Sequence, residues 1–132
     1  EQGWRVGGAM HYFQGDEHAA EVCIELGMYI SLAKPLLRQP DLQEIATSLP
    51  MENIVLETDT YPQPFKAKRE NWTEPKDVRQ VAMKLADLKG ITLEEVETTT
   101  TANFLAMCLQ DGAPGRSKVL DEVLLNDLPK RQ

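Results

Sequence analysis

The stretch over residues 53–60, which reads Asn-Ile-Val-Leu-Glu-Thr-Asp-Thr, restricts the fold of this chain more than any other. An unbroken apolar run is what a strand buried on both faces requires, and such strands belong to parallel sheets covered by helices. The run ends in two carboxylates one residue apart. Side chains at i and i+2 leave a strand on the same face, so a strand over residues 53–59 presents Glu57 and Asp59 together at its C-terminal end. In sheets assembled from βα units, that end gathers ligands and catalysts. The plainer reading makes the two acids the first solvated residues of a loop.

The flanking sequence repeats a strand–helix pattern. Residues 4–10 read as a short strand that delivers His11, and Asp16 serves as N-cap of a helix with Ala19, Ala20, Val22, Cys23 and Leu26 along its apolar side, stopped by Gly27. Residues 28–32 form a second strand. Pro40 and Asp41 then open a helix in which Asp41 and Glu44 have capping-box spacing and Leu42, Ile45, Ala46 and Leu49 face inward. After the third strand a long, proline-rich basic loop covers residues 60–73. A helix follows from Glu74 and Pro75 to Lys89, with Gly90 beyond its end. Thr92 and Glu95 cap a fourth helix, and the β-branched run Thr98–Thr101 predicts a break in it. Past residue 111, Val119, Leu120, Val123, Leu124 and Leu128 outline an amphipathic helix.

Strand and helix in alternation imply parallel strands. Three such units are too few to close a barrel of eight strands and about 250 residues, so the sequence reads as part of a larger α/β fold. The chain opens at Glu1 and enters strand-like sequence at once, as a piece of a longer protein does. Cys23 and Cys108 lack metal-type spacing and read as free thiols in a reducing cytoplasm. No apolar run is long enough for a membrane span. The net charge of −7 speaks against broad electrostatic binding to nucleic acid or anionic membrane, but a site holding divalent cations supplies its own positive charge.

Four motifs occur in order: His11-Tyr12-Phe13-Gln14-Gly15, Glu57-Thr58-Asp59, Asn71 before Glu74-Pro75, and Thr100-Thr101-Ala102-Asn103. Together they resemble the C-terminal portion of the TatD family of metal-dependent hydrolases, amidohydrolase-like TIM barrels that include deoxyribonucleases. The resemblance implies that residues 1–111 are the C-terminal part of a (β/α)8 barrel, with residues 112–132 a C-terminal extension.

It further implies that His11 and Asp59 bind a divalent ion (zinc, magnesium or manganese) and that Asp59 orients or deprotonates the attacking water. Glu57 stands beside them as an outer-sphere orienter, as a ligand of a further ion, or as a structural carboxylate. Phe13, Lys68, Arg69 and Trp72 become candidate substrate contacts, the cations clamping a phosphodiester backbone and an aromatic ring stacking a base.

The sequence departs from the family at Gln14 and at Thr60-Tyr61-Pro62. It also contains no Asp-x-His-x-His motif, no mid-chain glutamate ligand and no earlier histidine ligand. The expected partners are therefore DNA or another phosphodiester and either the missing half of the barrel or a second copy, with no membrane. Two other readings stand beside the nuclease: a non-catalytic half-barrel that binds or oligomerises, and an amidohydrolase acting on a small molecule.

Overall fold

The computed structural model describes residues 7–68 and 72–108. Its strands are β1 (Ala9–Met10), β2 (Tyr29–Leu32) and β3 (Ile54–Leu56), and its helices are α1 (Glu17–Glu25), α2 (Pro40–Ser48), α3 (Val78–Lys89) and α4 (Leu93–Cys108). The strands form one sheet in the order β1-β2-β3, with Ala9 opposite Tyr29, Ile30 opposite Ile54 and Ser31 opposite Val55, all parallel. Single helical turns at Lys34–Leu37, Met51–Asn53 and Pro75–Asp77 complete the connections. None of the described helices is long and apolar enough to cross a membrane.

Pleating divides the strand residues between two faces. Ile30, Leu32 and Ile54 are fully buried against the helix layer, where they meet Leu36, Val81, Leu85 and Val96. Ser31 and Val55, their neighbours in sequence, point to the opposite face. The helices form where the periodicity places them. Asp16 accepts from the Ala19 amide at 2.8 Å, Gly90 closes α3 at φ +65°, and Thr92 and Glu95 cap α4 reciprocally, with Glu95 accepting from the Thr92 amide at 2.8 Å.

Three expectations are corrected. Asp41 and Glu44 form no capping box: Pro40 takes the first helical position, so the cap falls on Gln39, whose side chain bonds to Gln14 instead. The third strand ends at Leu56 rather than Asp59, because Asp59 adopts φ +54° and turns the chain. The threonine run does not interrupt α4. Thr100 returns its hydroxyl to the Val96 carbonyl at 2.8 Å, and the helix is held by tertiary contacts that outweigh a propensity difference of a few tenths of a kcal/mol per residue. Residues 4–6 of the first strand and the amphipathic stretch beyond residue 111 lie outside the described residues. Cys23 and Cys108 are free thiols, the first buried.

Asn103 supplies two of those tertiary contacts. Its buried amide donates to the Met51 carbonyl at 2.8 Å and to the Ile54 carbonyl at 2.7 Å, tying α4 to the entry of β3. Removing it takes the Asn103 donor from the buried Ile54 carbonyl, whereas the Met51 carbonyl keeps the Ile54 amide, and a buried unsatisfied polar group costs about 1–3 kcal/mol. Asn103→Ala is therefore expected to lower the urea midpoint by that order while leaving the slope of the transition unchanged, which equilibrium unfolding followed by circular dichroism checks.

Candidate metal centre

Extending the register past the strand ends puts His11 opposite Ser31 and Glu57 two residues beyond the partner of Ser31. By the period of two, these three side chains share the sheet face opposite the helices. The ladder persists to this point: Phe13 donates its amide to the Ser31 carbonyl, and Glu57 donates its own to the Leu32 carbonyl, each at 3.0 Å. The two acids thus stand at the C-terminal end of the sheet, as the sequence predicts. Asp59 comes within reach through its turn rather than through the pleat.

Glu57 lies at the centre. His11 Nδ1 bonds to its Oε2 at 3.0 Å, the Tyr12 amide donates to the same oxygen at 3.0 Å, and the Ser31 hydroxyl donates to it as well. The other oxygen, Oε1, is buried and 2.8 Å from His11 Nδ1, yet it takes no hydrogen bond. On the far side of the ring, His11 Nε2 stands 3.5 Å from Asp59 Oδ1, too far for an N–H···O bond. Tyr12 and Asp59, the only described non-glycine residues at positive φ, directly follow or form this cluster. Such conformations cost about 1–3 kcal/mol each and persist where surrounding contacts impose them.

One donor atom from each of His11, Glu57 and Asp59 lies within 4.8 Å of the others. Two carboxylates at that separation repel by roughly 3 kcal/mol at an effective dielectric of about 20, a value reduced by solvent at Asp59, whose side chain is 46% exposed. The donor set fits a divalent cation. Two ligand bonds of about 2.1 Å at a tetrahedral angle separate their donor atoms by roughly 3.4 Å, close to the gap between His11 Nε2 and Asp59 Oδ1. Nε2 and Oδ1 are the atoms that would hold it, while Glu57 reaches the imidazole from behind, in the manner of a carboxylate that orients a metal-binding histidine.

The remaining candidates divide. Phe13, expected at the substrate, is a core residue at 4% exposure. Its ring lies where a Cβ on Gly15 would come within 2.9 Å, so the glycine of the first motif makes room for the phenylalanine. Lys68 is exposed, and Trp72 is half-buried with its indole donating to the Lys66 carbonyl at 3.4 Å. Neither is joined to the carboxylate cluster by a described hydrogen bond. Arg69 and Asn71 lie outside the described residues. His18 sits exposed on α1, 3.9 Å from Glu21.

Two sets of contacts escaped the sequence reading. One is that of Ser31. The other is the pair Lys34 and Asp77, 2.7 Å apart, in which Lys34 rises from the C-terminal side of β2 and also reaches Thr73 at 3.3 Å. The pair fastens the far end of the basic loop to the sheet. An apolar-strand-plus-lysine pattern carries no signal for either.

The fold and the site define a partial (β/α)8 barrel with a candidate cation centre at the strand C-termini. Comparison with known proteins places it further: the TatD related DNase family model matches residues 1–108, and the chain belongs to that family. It is 35% identical over 105 residues to the "uncharacterized metal-dependent hydrolase YabD" of Bacillus subtilis, covering 74% of this chain and 39% of that protein. It is 30% identical over 98 residues to human "deoxyribonuclease TATDN3", covering 74% and 35%. Among solved structures, Escherichia coli YJJV, a TatD homologue, superposes with a TM-score of 0.65 at 22% identity over 76% of this chain and 39% of that one, a likeness of fold. The chain thus spans about two fifths of the length of the relatives it matches.

The Lys34–Asp77 pair makes a pH prediction. The Lys34 ammonium, and next the Glu74 amide, hold the Asp77 carboxyl below the ordinary carboxylate range. A carboxyl whose pKa is depressed by folding contributes stability that is present above its unfolded value, about 3.9, and lost as pH falls through the folded value. Wild type is expected to exceed Asp77→Asn in urea midpoint at neutral pH. The difference should shrink as pH drops from about 4 downward, as paired denaturation curves across that range will show.

Proposed function

We propose that this chain contributes part of the active site of a metal-dependent hydrolase that cleaves phosphodiester bonds in DNA. The observation that carries the reading is the convergence of His11, Glu57 and Asp59 on one face at the strand C-termini. A bound divalent cation supplies Lewis acidity and lowers the pKa of water in its coordination sphere. The chain's own residues do the rest. Asp59 offers a half-exposed carboxylate able to accept a proton, and Glu57 holds the His11 imidazole in place.

The nuclease reading draws on the loop that leaves Asp59. Tyr61 and Phe65 stand 51% and 70% exposed, with ring centroids 6.4 Å apart, and Lys66 and Lys68 follow, offering π-faces and cations together. The deoxyribonuclease name of the human relative points the same way. Lys68, Arg69 and Trp72 remain the proposed substrate contacts, and the cytoplasm the proposed compartment.

The test is cleavage of DNA and of a generic phosphodiester with magnesium, manganese or zinc, in a protein that carries this segment together with the remaining ligands of a TatD barrel. Asp59→Asn keeps the shape and removes the charge, and the expected loss is at least about 10²–10⁴-fold with the circular dichroism spectrum unchanged. Turnover that survives this change places the catalytic centre elsewhere. The 132-residue chain by itself is expected to show little or no turnover, because it supplies only part of the donor set.

A further inference from the structure

Ser31 is a hydroxyl in an apolar strand, 4% exposed, in the middle of a three-stranded sheet. Burying a hydroxyl costs free energy unless it is hydrogen-bonded, and its one described side-chain bond runs to Glu57 Oε2. The Tyr12 amide donates to the same oxygen. Two donors arriving from different strands fix the rotation of the carboxylate. They also leave Oε1 buried, without a hydrogen bond and 2.8 Å from His11 Nδ1.

An ionised carboxylate has no proton to give, so a hydrogen bond between it and Nδ1 requires the proton to sit on Nδ1. The neutral ring then carries its lone pair on Nε2, the nitrogen that faces Asp59. Resting on the metal-centre reading, we propose that Ser31 is a positioning residue: by anchoring Glu57 through Oε2, it holds His11 in the Nδ1–H tautomer and so keeps Nε2 available to a cation.

The chain contains two histidines, and His18, 84% exposed at its side chain, serves as an internal reference. The tautomer of each is read from long-range proton–nitrogen correlation spectra of the full chain, recorded without metal in alkaline buffer where imidazoles are neutral. In wild type His11 is expected to be predominantly Nδ1–H. In Ser31→Ala its tautomer balance is expected to move toward that of His18, which itself stays unchanged, and Ser31→Thr is expected to restore the wild-type signature. If the alanine variant does not fold, Ser31→Thr against Ser31→Val gives the same contrast between side chains of equal shape with and without the hydroxyl. An unchanged His11 tautomer in the folded hydroxyl-less variant overturns the proposal.

Titration with zinc alone separates this proposal from the reading beneath it. Removing an outer-shell partner such as Glu57 costs about 10–100-fold in metal affinity, so Ser31→Ala, which acts through Glu57, is expected to weaken zinc binding by a smaller factor, up to about tenfold. If a protein that carries this segment together with the remaining ligands of a TatD barrel binds no zinc, while the chain shows the Ser31-dependent tautomer, the positioning role stands and the metal centre falls. Zinc binding that is lost in His11→Ala but indifferent to Ser31→Ala, with no change of tautomer, sinks the positioning role alone.

Discussion

The Glu57 carboxylate joins segments that are far apart in the chain: a strand end 46 residues upstream through His11, the following amide of Tyr12, and the central strand through Ser31. Hydrogen bonds to an ionised acceptor are stronger than neutral ones, and in a partly buried setting their loss leaves a charge without compensation. The cluster therefore does more than decorate the sheet end. It marks where β1 stops: Tyr12 gives its amide to Glu57 at the point where its own φ of +50° turns the chain, and beyond that turn Phe13 is buried against Gly15. One charged group thus links the local backbone strain, the packing of the first motif and the direction of the imidazole.

The pattern of apolar runs was enough to locate the sheet, its parallel sense and the strand-end positions of His11 and Glu57, since strand period and strand-end chemistry are both local properties of sequence; Asp59 joins them through a turn at φ +54° that the period of two did not contain. Ser31 was not legible. A serine between Ile30 and Leu32 looks like a weak point in a strand until its partner just beyond the neighbouring strand is known. Lys34 and Asp77, 43 residues apart, fail for the same reason. The threonine run failed in the other direction. Its local propensity is poor, but the Thr100 hydroxyl and the Asn103 amide spend their bonds on α4 and on β3, which no single-helix rule counts. Phe13 misled because an aromatic beside a candidate ligand is equally consistent with a substrate platform and with a core plug, and only its burial decides.

The acidic character of the chain bears on how such a centre meets a polyanion. These 132 residues carry a formal charge of −7, and two of the acids lie within the site. On the proposed nuclease reading attraction would be local: a cation held at the carboxylates and the lysines of the loop that leaves Asp59 would act over a Debye length of about 8–10 Å, inside which net charge matters less than placement. The Lys34–Asp77 pair, with Thr73 beside it, fastens the end of that loop to the turn that follows β2.

A division of labour follows from what the chain contains. Among the described residues, the groups proposed to orient His11 lie within residues 7–68: the carboxylate of Glu57, which bonds the ring, and the amide of Tyr12 and the hydroxyl of Ser31, which bond the carboxylate. The cation's donors are divided differently, because His11 Nε2 and Asp59 Oδ1 supply two and a catalytic zinc takes three from protein. Orientation is thus a property of this segment, whereas affinity depends on what packs against it. A segment spanning two fifths of its relatives' length can therefore hold a pre-organised imidazole without holding a tight metal site. Its tautomer and its metal affinity are consequently separate observables, even though both depend on the same carboxylate.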